Sequence, residues 1–243
     1  MKIAIITGAT SGIGYACVEK FLSQNYLVVG IGRNKKKIDE LKQKSKNILK
    51  GKFVGMRCDF LKKRDLTNLL LNLNNFKKID TLINCAGVAF KNKIDKITIN
   101  EWEKTMYLNI TIPFLIIKKL KNKLKLSSNA SIINVSSIAG RSRSISLGCH
   151  YTTSKSALIG LTRHLGSELG NHGIRVNCIT PSQTKTPMLT KSLSIKGQKD
   201  LIKKIPLRRL SEAKEQSDVI YFLASEEASY INGAILDVNG GQL

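Results

Sequence analysis

Residues 2–14 read Lys2-Ile3-Ala4-Ile5-Ile6-Thr7-Gly8-Ala9-Thr10-Ser11-Gly12-Ile13-Gly14. The run Lys2–Ile6 is apolar and rich in β-branched residues, the pattern of a buried strand. A turn with three glycines follows directly and opens a helical pattern, Gly12–Ser23. Glycine lets the backbone turn tightly and come close to a ligand, and a helix start offers unpaired N–H groups with a partial positive charge. In this order, strand, turn and helix form a cradle for a pyrophosphate, made of Gly8, Thr10, Ser11, Gly12, Ile13 and Gly14.

Outward from that unit the same alternation continues. Further strands are predicted at Leu27–Ile31, Phe53–Cys58, Thr81–Asn84, Ser131–Val135, Arg175–Ile179 and Ala234–Val238. Most are near-continuous apolar runs, as a parallel sheet covered on both faces requires. Helices are predicted at Lys35–Lys44, Lys62–Leu73, Asn100–Lys123, Tyr151–Gly170 and Ser211–Ala224. This β-α rhythm implies one α/β domain over residues 1–243: a Rossmann-type, doubly wound, parallel seven-stranded sheet. Only Ser182–Arg209 breaks the rhythm. It carries Pro187, Gly197 and Pro206, and reads as an irregular lid over the carboxyl ends of the strands.

Composition narrows the class. The chain has 243 residues, 42% of them hydrophobic, enough for a large core. It contains no apolar run of about 18 residues that would span a membrane. The N-terminal run ends in a glycine turn rather than a small-residue cleavage site, so it reads as a strand and not a signal peptide. Five scattered cysteines, with no CxxC pair and no zinc spacing, suggest reduced thiols, a cytoplasmic protein and no bound metal. Cys149, close to Tyr151, reads as an inert small side chain, with oxidation sensitivity as the alternative. The formal net charge is +23. Its lysines are spread over helices and loops, which reads as compositional bias on solvated faces; an electrostatic role is the alternative.

Chemistry-bearing residues recur at fixed places. Tyr151 and Lys155 stand four apart on a predicted helix and so share a face. An ammonium beside a phenol favours the phenolate, which suits proton transfer. Ser137 lies just past the strand Ser131–Val135, and Asn109 lies within the predicted helix Asn100–Lys123. After the second strand, Gly32-Arg33-Asn34 presents an arginine where an acid would bind ribose hydroxyls; an arginine pairs instead with a 2′-phosphate. Asp59 and Phe60 follow the third strand, Asn84-Cys85-Ala86-Gly87 the fourth, and Thr180-Pro181-Ser182 the sixth, with Thr184 and Thr186 beyond. His150, His164 and His172 show no nucleophile or metal partner in sequence. Trp102 reads as core or subunit interface.

The TGxxxGxG turn, the Asn84–Gly87 segment, Ser137, the Tyr151–Lys155 pair and Ile174-Arg175-Val176-Asn177 together resemble the short-chain dehydrogenase/reductase family. The C-terminal Pro206–Leu210 and Asp237–Gly241 segments are similar to those of bacterial 3-oxoacyl-carrier-protein reductases. The resemblance implies these roles: Ser137 polarises a substrate carbonyl, Tyr151 donates a proton, Lys155 holds the cofactor ribose, and Asn109 opens its helix to support a water relay. It also implies cofactor contacts by Asp59, Phe60, Asn84, Ala86, Gly87, Pro181, Thr184 and Thr186. Cys85 stands where the family has a second Asn, and a small backbone change is expected there. Ser182 replaces a glycine and would be strained if its backbone were left-handed.

These motifs and the resemblance imply an NADP(H)-dependent reductase, with NAD(H) the less favoured cofactor. Its expected substrate is a ketone, first a 3-oxoacyl thioester on acyl carrier protein and second a sugar or secondary-metabolite ketone. The carrier reading lacks the arginines that such reductases commonly place near Ser127–Asn129 and His172. A homotetramer is expected, without nucleic acid or membrane as partner. A non-catalytic cofactor sensor that binds nucleic acid or membrane is the third reading.

Overall fold

A computed structural model describes residues 1–47, 50–190 and 194–243. Its main sheet is parallel and seven-stranded: β1 (Ile3–Thr7), β2 (Leu27–Gly32), β3 (Lys52–Arg57), β4 (Thr81–Asn84), β5 (Ala130–Val135), β6 (Ile174–Pro181) and, at the far edge, Ile235–Val238. The strand order is β3-β2-β1-β4-β5-β6 followed by Ile235–Val238. Ile5 of β1 pairs with Val29 of β2 on one side and Leu82 of β4 on the other. The chain therefore reverses its direction of sheet growth between β1 and β4, which opens a crevice at their carboxyl ends.

Alternation along the strands separates two cores. Ile5 joins the face covered by α3 (Lys63–Asn72), the helix Ile112–Leu124 and the helix Cys149–Gly170. Ala4 and Ile6 join the other, covered by α1 (Gly12–Ser23), α2 (Lys35–Asn47) and the helix Ala213–Ala224. Successive side chains of a strand point to opposite faces, so each central strand must be apolar throughout. In β5 and β6 every residue is buried.

Three expectations are refined. The helix predicted over Asn100–Lys123 is interrupted where the family resemblance implied that Asn109 opens it: α4 (Ile99–Met106) runs into a π-helical turn at Tyr107–Thr111 before α5 (Ile112–Leu124). Such a turn frees backbone groups from the regular ladder and often marks a functional site. The lid stretch is not simply irregular. It contains a two-residue strand, β7 (Thr184–Lys185), and, after α6 (Ile138–Arg141) and α7 (Cys149–Gly170), two helices, α8 (Pro187–Thr190) and α9 (Ile195–Lys203). Residues 191–193 of that stretch lie outside the described residues. β7 pairs with β8 (Ser211–Glu212), which leads into α10 (Ala213–Ala224), and β9 (Ile235–Val238) closes the sheet. Ser182 is not left-handed: the non-glycine residues with positive φ, among those described, are Asn25 and Arg208. Its hydroxyl instead donates to the Asn239 carbonyl at 3.0 Å.

Candidate active site

The floor of the crevice is made by two backbone segments in contact. The Thr7 hydroxyl accepts from the N–H groups of Cys85 and Ala86, both at 3.0 Å, and so ties the end of β1 to the loop after β4. Gly8 has φ of +70°, and a Cβ there would stand 3.0 Å from the Ala86 nitrogen. A Cβ on Gly14 would come within 2.3 Å of the Gly8 carbonyl oxygen, so glycine lets α1 seat directly on the turn. Ser11 begins α1 without a side-chain cap. The first N–H groups of the helix are left to face the cleft, where Thr10, Gly12 and Ile13 also lie. A pyrophosphate fits this arrangement, since any side chain at Gly8 or Gly14 would fill the space or push the helix away.

The cleft measures about 390 Å³. At one end, past β2 and β3, are exposed Arg33, Asp59 and buried Phe60. The Asp59 carboxylate accepts from the Leu61 N–H at 3.2 Å and is held at the rim. In the middle lie Ala86 and Gly87, and on the β6 side Pro181, Thr184 and Thr186. The Ser211 hydroxyl donates to Thr184 at 2.9 Å, and the Thr186 side chain packs against Gly12.

At the other end stand Ser137, Tyr151 and Lys155. Ser137 caps α6, its hydroxyl accepting from the Ala139 N–H at 3.1 Å. Tyr151 and Lys155 share one face of α7, with the ammonium 5.8 Å from the phenol ring centre. Lys155 Nζ donates to the Val135 carbonyl at 2.9 Å, which anchors it beside the end of β5. Asn109 sits behind the cleft wall on the π-helical turn. Its Oδ1 accepts from the Val88 N–H at 2.9 Å, and its Nδ2 donates to the Val88 carbonyl at 3.0 Å and to Ser154 Oγ at 2.9 Å. The turn therefore clamps the loop after β4 against α7. A Cβ on Gly87 would meet Asn109 Oδ1 at 3.0 Å and Lys155 Nζ at 3.6 Å, so these three residues converge.

Of the candidate catalytic and cofactor-binding positions, Gly14, Asn84 and Asn109 do not line the cleft but stand behind it; the rest line it. Asn84 donates to Asn134 Oδ1 at 2.9 Å, and Asn134 to Thr162 at 2.9 Å, a buried stitch from β4 through β5 to α7. Burial pushes the Cys85 thiol up to about 11 and keeps it neutral at physiological pH. Sequence reading missed Lys91 and Arg143, which also line the cleft. It also missed a partner for His150. That imidazole is fully buried, stacked on Phe90, with Nε2 3.0 Å from Glu101 Oε1 but out of line for a hydrogen bond. Glu101 Oε2 accepts from Asn92 at 2.7 Å. No motif links residues 101 and 150; only the fold brings them together.

A family profile described as enoyl-(acyl carrier protein) reductase matches residues 8–242. The chain belongs to the short-chain dehydrogenase/reductase family. Within that family it is 33% identical to a 3alpha-hydroxysteroid dehydrogenase of Mediterraneibacter gnavus, over 98% of this chain and 96% of that protein. It is 30% identical to a 3-oxoacyl-[acyl-carrier-protein] reductase of Aquifex aeolicus, over 99% of this chain and 96% of that one. Among solved structures, a 3-oxoacyl-[acyl-carrier protein] reductase from Brucella melitensis with bound NAD superimposes with a TM-score of 0.88 at 30% identity, covering 100% of this chain and 91% of that one. These short-chain dehydrogenase/reductase relatives act on different substrates. Family membership thus gives the oxidoreductase class and a nicotinamide cofactor, and leaves the substrate to the cleft.

Proposed function

We propose that this enzyme reduces a ketone to a secondary alcohol with NADPH, and that Tyr151 is the proton donor. One observation carries the reading: Tyr151 and Lys155 lie on one face of α7 beside Ser137, in a cleft whose other parts are the uncapped start of α1 and Arg33. Gly8, Thr10, Ser11, Gly12, Ile13 and Gly14 hold the pyrophosphate, Asp59 and Phe60 the adenine end, and Asn84, Ala86, Gly87, Pro181, Thr184 and Thr186 shape the nicotinamide end. When bound, the nicotinamide supplies the hydride. Ser137 donates a hydrogen bond to the substrate carbonyl, and Tyr151 protonates the alkoxide that forms. The Lys155 ammonium stabilises the resulting phenolate and binds the ribose. Asn109 keeps the loop after β4 and α7 in register, and its π-helical turn leaves room for a water leading to Lys155.

Arg33 favours NADPH over NADH, because a guanidinium matches the 2′-phosphate while the sequence after β2, Gly32-Arg33-Asn34, holds no acid to bind the ribose hydroxyls. The substrate we favour is a 3-oxoacyl thioester on an acidic acyl carrier protein, which a chain of net charge +23 attracts electrostatically. A free cyclic or sugar ketone is the second reading, favoured by the similarity to a steroid dehydrogenase. The described parts of the segment 182–209 close over the substrate as a lid, and the assembly is a homotetramer.

The test is a panel of acetoacetyl thioesters, cyclic ketones and sugar ketones with NADPH. Tyr151→Phe is expected to lower kcat by roughly 10²–10⁴-fold, the usual worth of a positioned acid, with NADPH affinity unchanged in a fluorescence titration. Retained turnover removes Tyr151 from the proposed role.

A further inference from the structure

The cleft has an uneven charge. Lys91 and Arg143 both line it. Among the described residues the cleft has a single carboxylate, Asp59. Asp59 follows β3, and Ser137 follows β5, four strands across in the order β3-β2-β1-β4-β5. At the usual strand spacing that separation is ~19 Å. The cleft therefore keeps its acid, beside Arg33, at the far end from Tyr151, and no carboxylate of the described residues lines it near Ser137 and Tyr151.

Arg143 is also held on a built platform. The Ser144 N–H donates to Thr152 Oγ1 at 3.1 Å, on the turn of α7 that carries Tyr151. Ser144 Oγ accepts from the N–H groups of Ser146 and Leu147 at 3.3 and 2.9 Å. The Gly148 N–H donates to the Phe90 carbonyl at 3.0 Å. The loop 142–148 is thus bonded to itself, to α7 and to the loop after β4. Two residues earlier, Arg141 is engaged by Asp237 at 3.2 Å. Arg143 is exposed and has no such partner among the described residues. Apolar side chains of Ile145, Leu147 and Met188 share this end of the cleft.

We infer that Arg143 is the anion-binding residue of the substrate site, and that the substrate carries a carboxylate or phosphate on an otherwise apolar ketone. This rests on the reading of the cleft as a ketone reductase. A guanidinium on a hydrogen-bonded loop presents paired N–H donors that match either oxyanion, and such a charge-assisted bond is stronger than a neutral one. The two sources share this chemistry. The carboxylate would belong to a free oxo acid, and the phosphate to a phosphopantetheine arm.

Two matched pairs distinguish them: acetoacetate against its methyl ester, and acetoacetyl-pantetheine against acetoacetyl-4′-phosphopantetheine. Binding is read by calorimetry on the Tyr151→Phe–NADPH complex, so the subsite is measured whether or not the ketone is turned over. KM is read in parallel on the enzyme with Tyr151 intact. The anionic member of one pair is expected to bind about tenfold or more tightly than its neutral partner. Arg143→Ala should erase that preference and leave the neutral ligands and NADPH unchanged. Lys125→Ala, which removes one charge outside the cleft, should preserve it. Preference in the first pair assigns a carboxylate, and in the second a phosphate. No preference in either pair, or a preference that survives Arg143→Ala, overturns the inference. Failure of the reductase reading looks different: no ketone would be consumed in any kinetic arm, while the calorimetric arms would still report on Arg143.

Discussion

On the proposed reading, residue 33 is where one side chain chooses between two cofactors. Arg33 stands exposed at the end of β2, in the cleft, with Lys35 to Lys37 just beyond. A 2′-phosphate there gains a charge-assisted pair, whereas an aspartate would repel it and bind the two ribose hydroxyls instead. Arg33→Asp is therefore expected to shift the NADPH-to-NADH ratio of kcat/KM by roughly 10–100-fold toward NADH, the range for losing a hydrogen bond to a charged group. An unchanged ratio would mean that another group reads the phosphate. Residues of this kind were legible in the sequence because a strand end and a glycine turn place them with little help from the rest of the chain. His150 and Arg143 were not. The first takes its meaning from Glu101, far away along the chain, and the second from the bonding of its loop to α7 and Phe90.

At the scale of elements, strands were easier to read than helices. A strand buried on both faces must be an apolar run, and its length is set by the layers around it. The break at Tyr107–Thr111 left no trace in the periodicity and was legible only through the family resemblance at Asn109; the bonds to Val88 and Ser154 that hold it there show in the fold alone. α8 and α9 escaped notice for a related reason: short helices have little room for a periodic pattern. The junction between the loop after β4 and the start of α7 is tightly packed. A Cβ on Gly148 would stand 2.4 Å from both the Asn92 carbonyl oxygen and the His150 ring. The ring has little room to retreat, since His150 is fully buried against Phe90 and Glu101. Gly148→Ala is expected to lower unfolding free energy by about 1–3 kcal/mol, the cost of overpacking, and to lower kcat because His150 immediately precedes Tyr151. A denaturant titration and steady-state rates check both. Wild-type stability in this variant would show that the junction is loose.

For the whole molecule, the outer face of α7 is the surface that most asks for a cover. Gly160 lies exposed in the middle of that helix, where glycine costs roughly 0.5–1 kcal/mol relative to alanine. Among the described residues, nothing beyond its own helix lies within 4 Å of a Cβ built there. Thr153 and Ser156, also small and exposed, lie on the preceding turns of the same face, and the exposed Ser167 lies two turns beyond, past Arg163 and His164. On the neighbouring helices, Ile99 and Phe114 present apolar surface to solvent at 73% and 43% exposure. A second copy packing closely along these helices would account for the glycine and cover the apolar groups, as the proposed homotetramer requires. Light scattering is expected to give a mass four times the 26.9 kDa of one chain. Gly160→Leu should reduce that mass while circular dichroism shows the fold retained, because a bulky group on an open helix face disturbs only what packs against it. A wild-type monomer rules out the tetramer, and a tetramer indifferent to Gly160→Leu places its interface elsewhere.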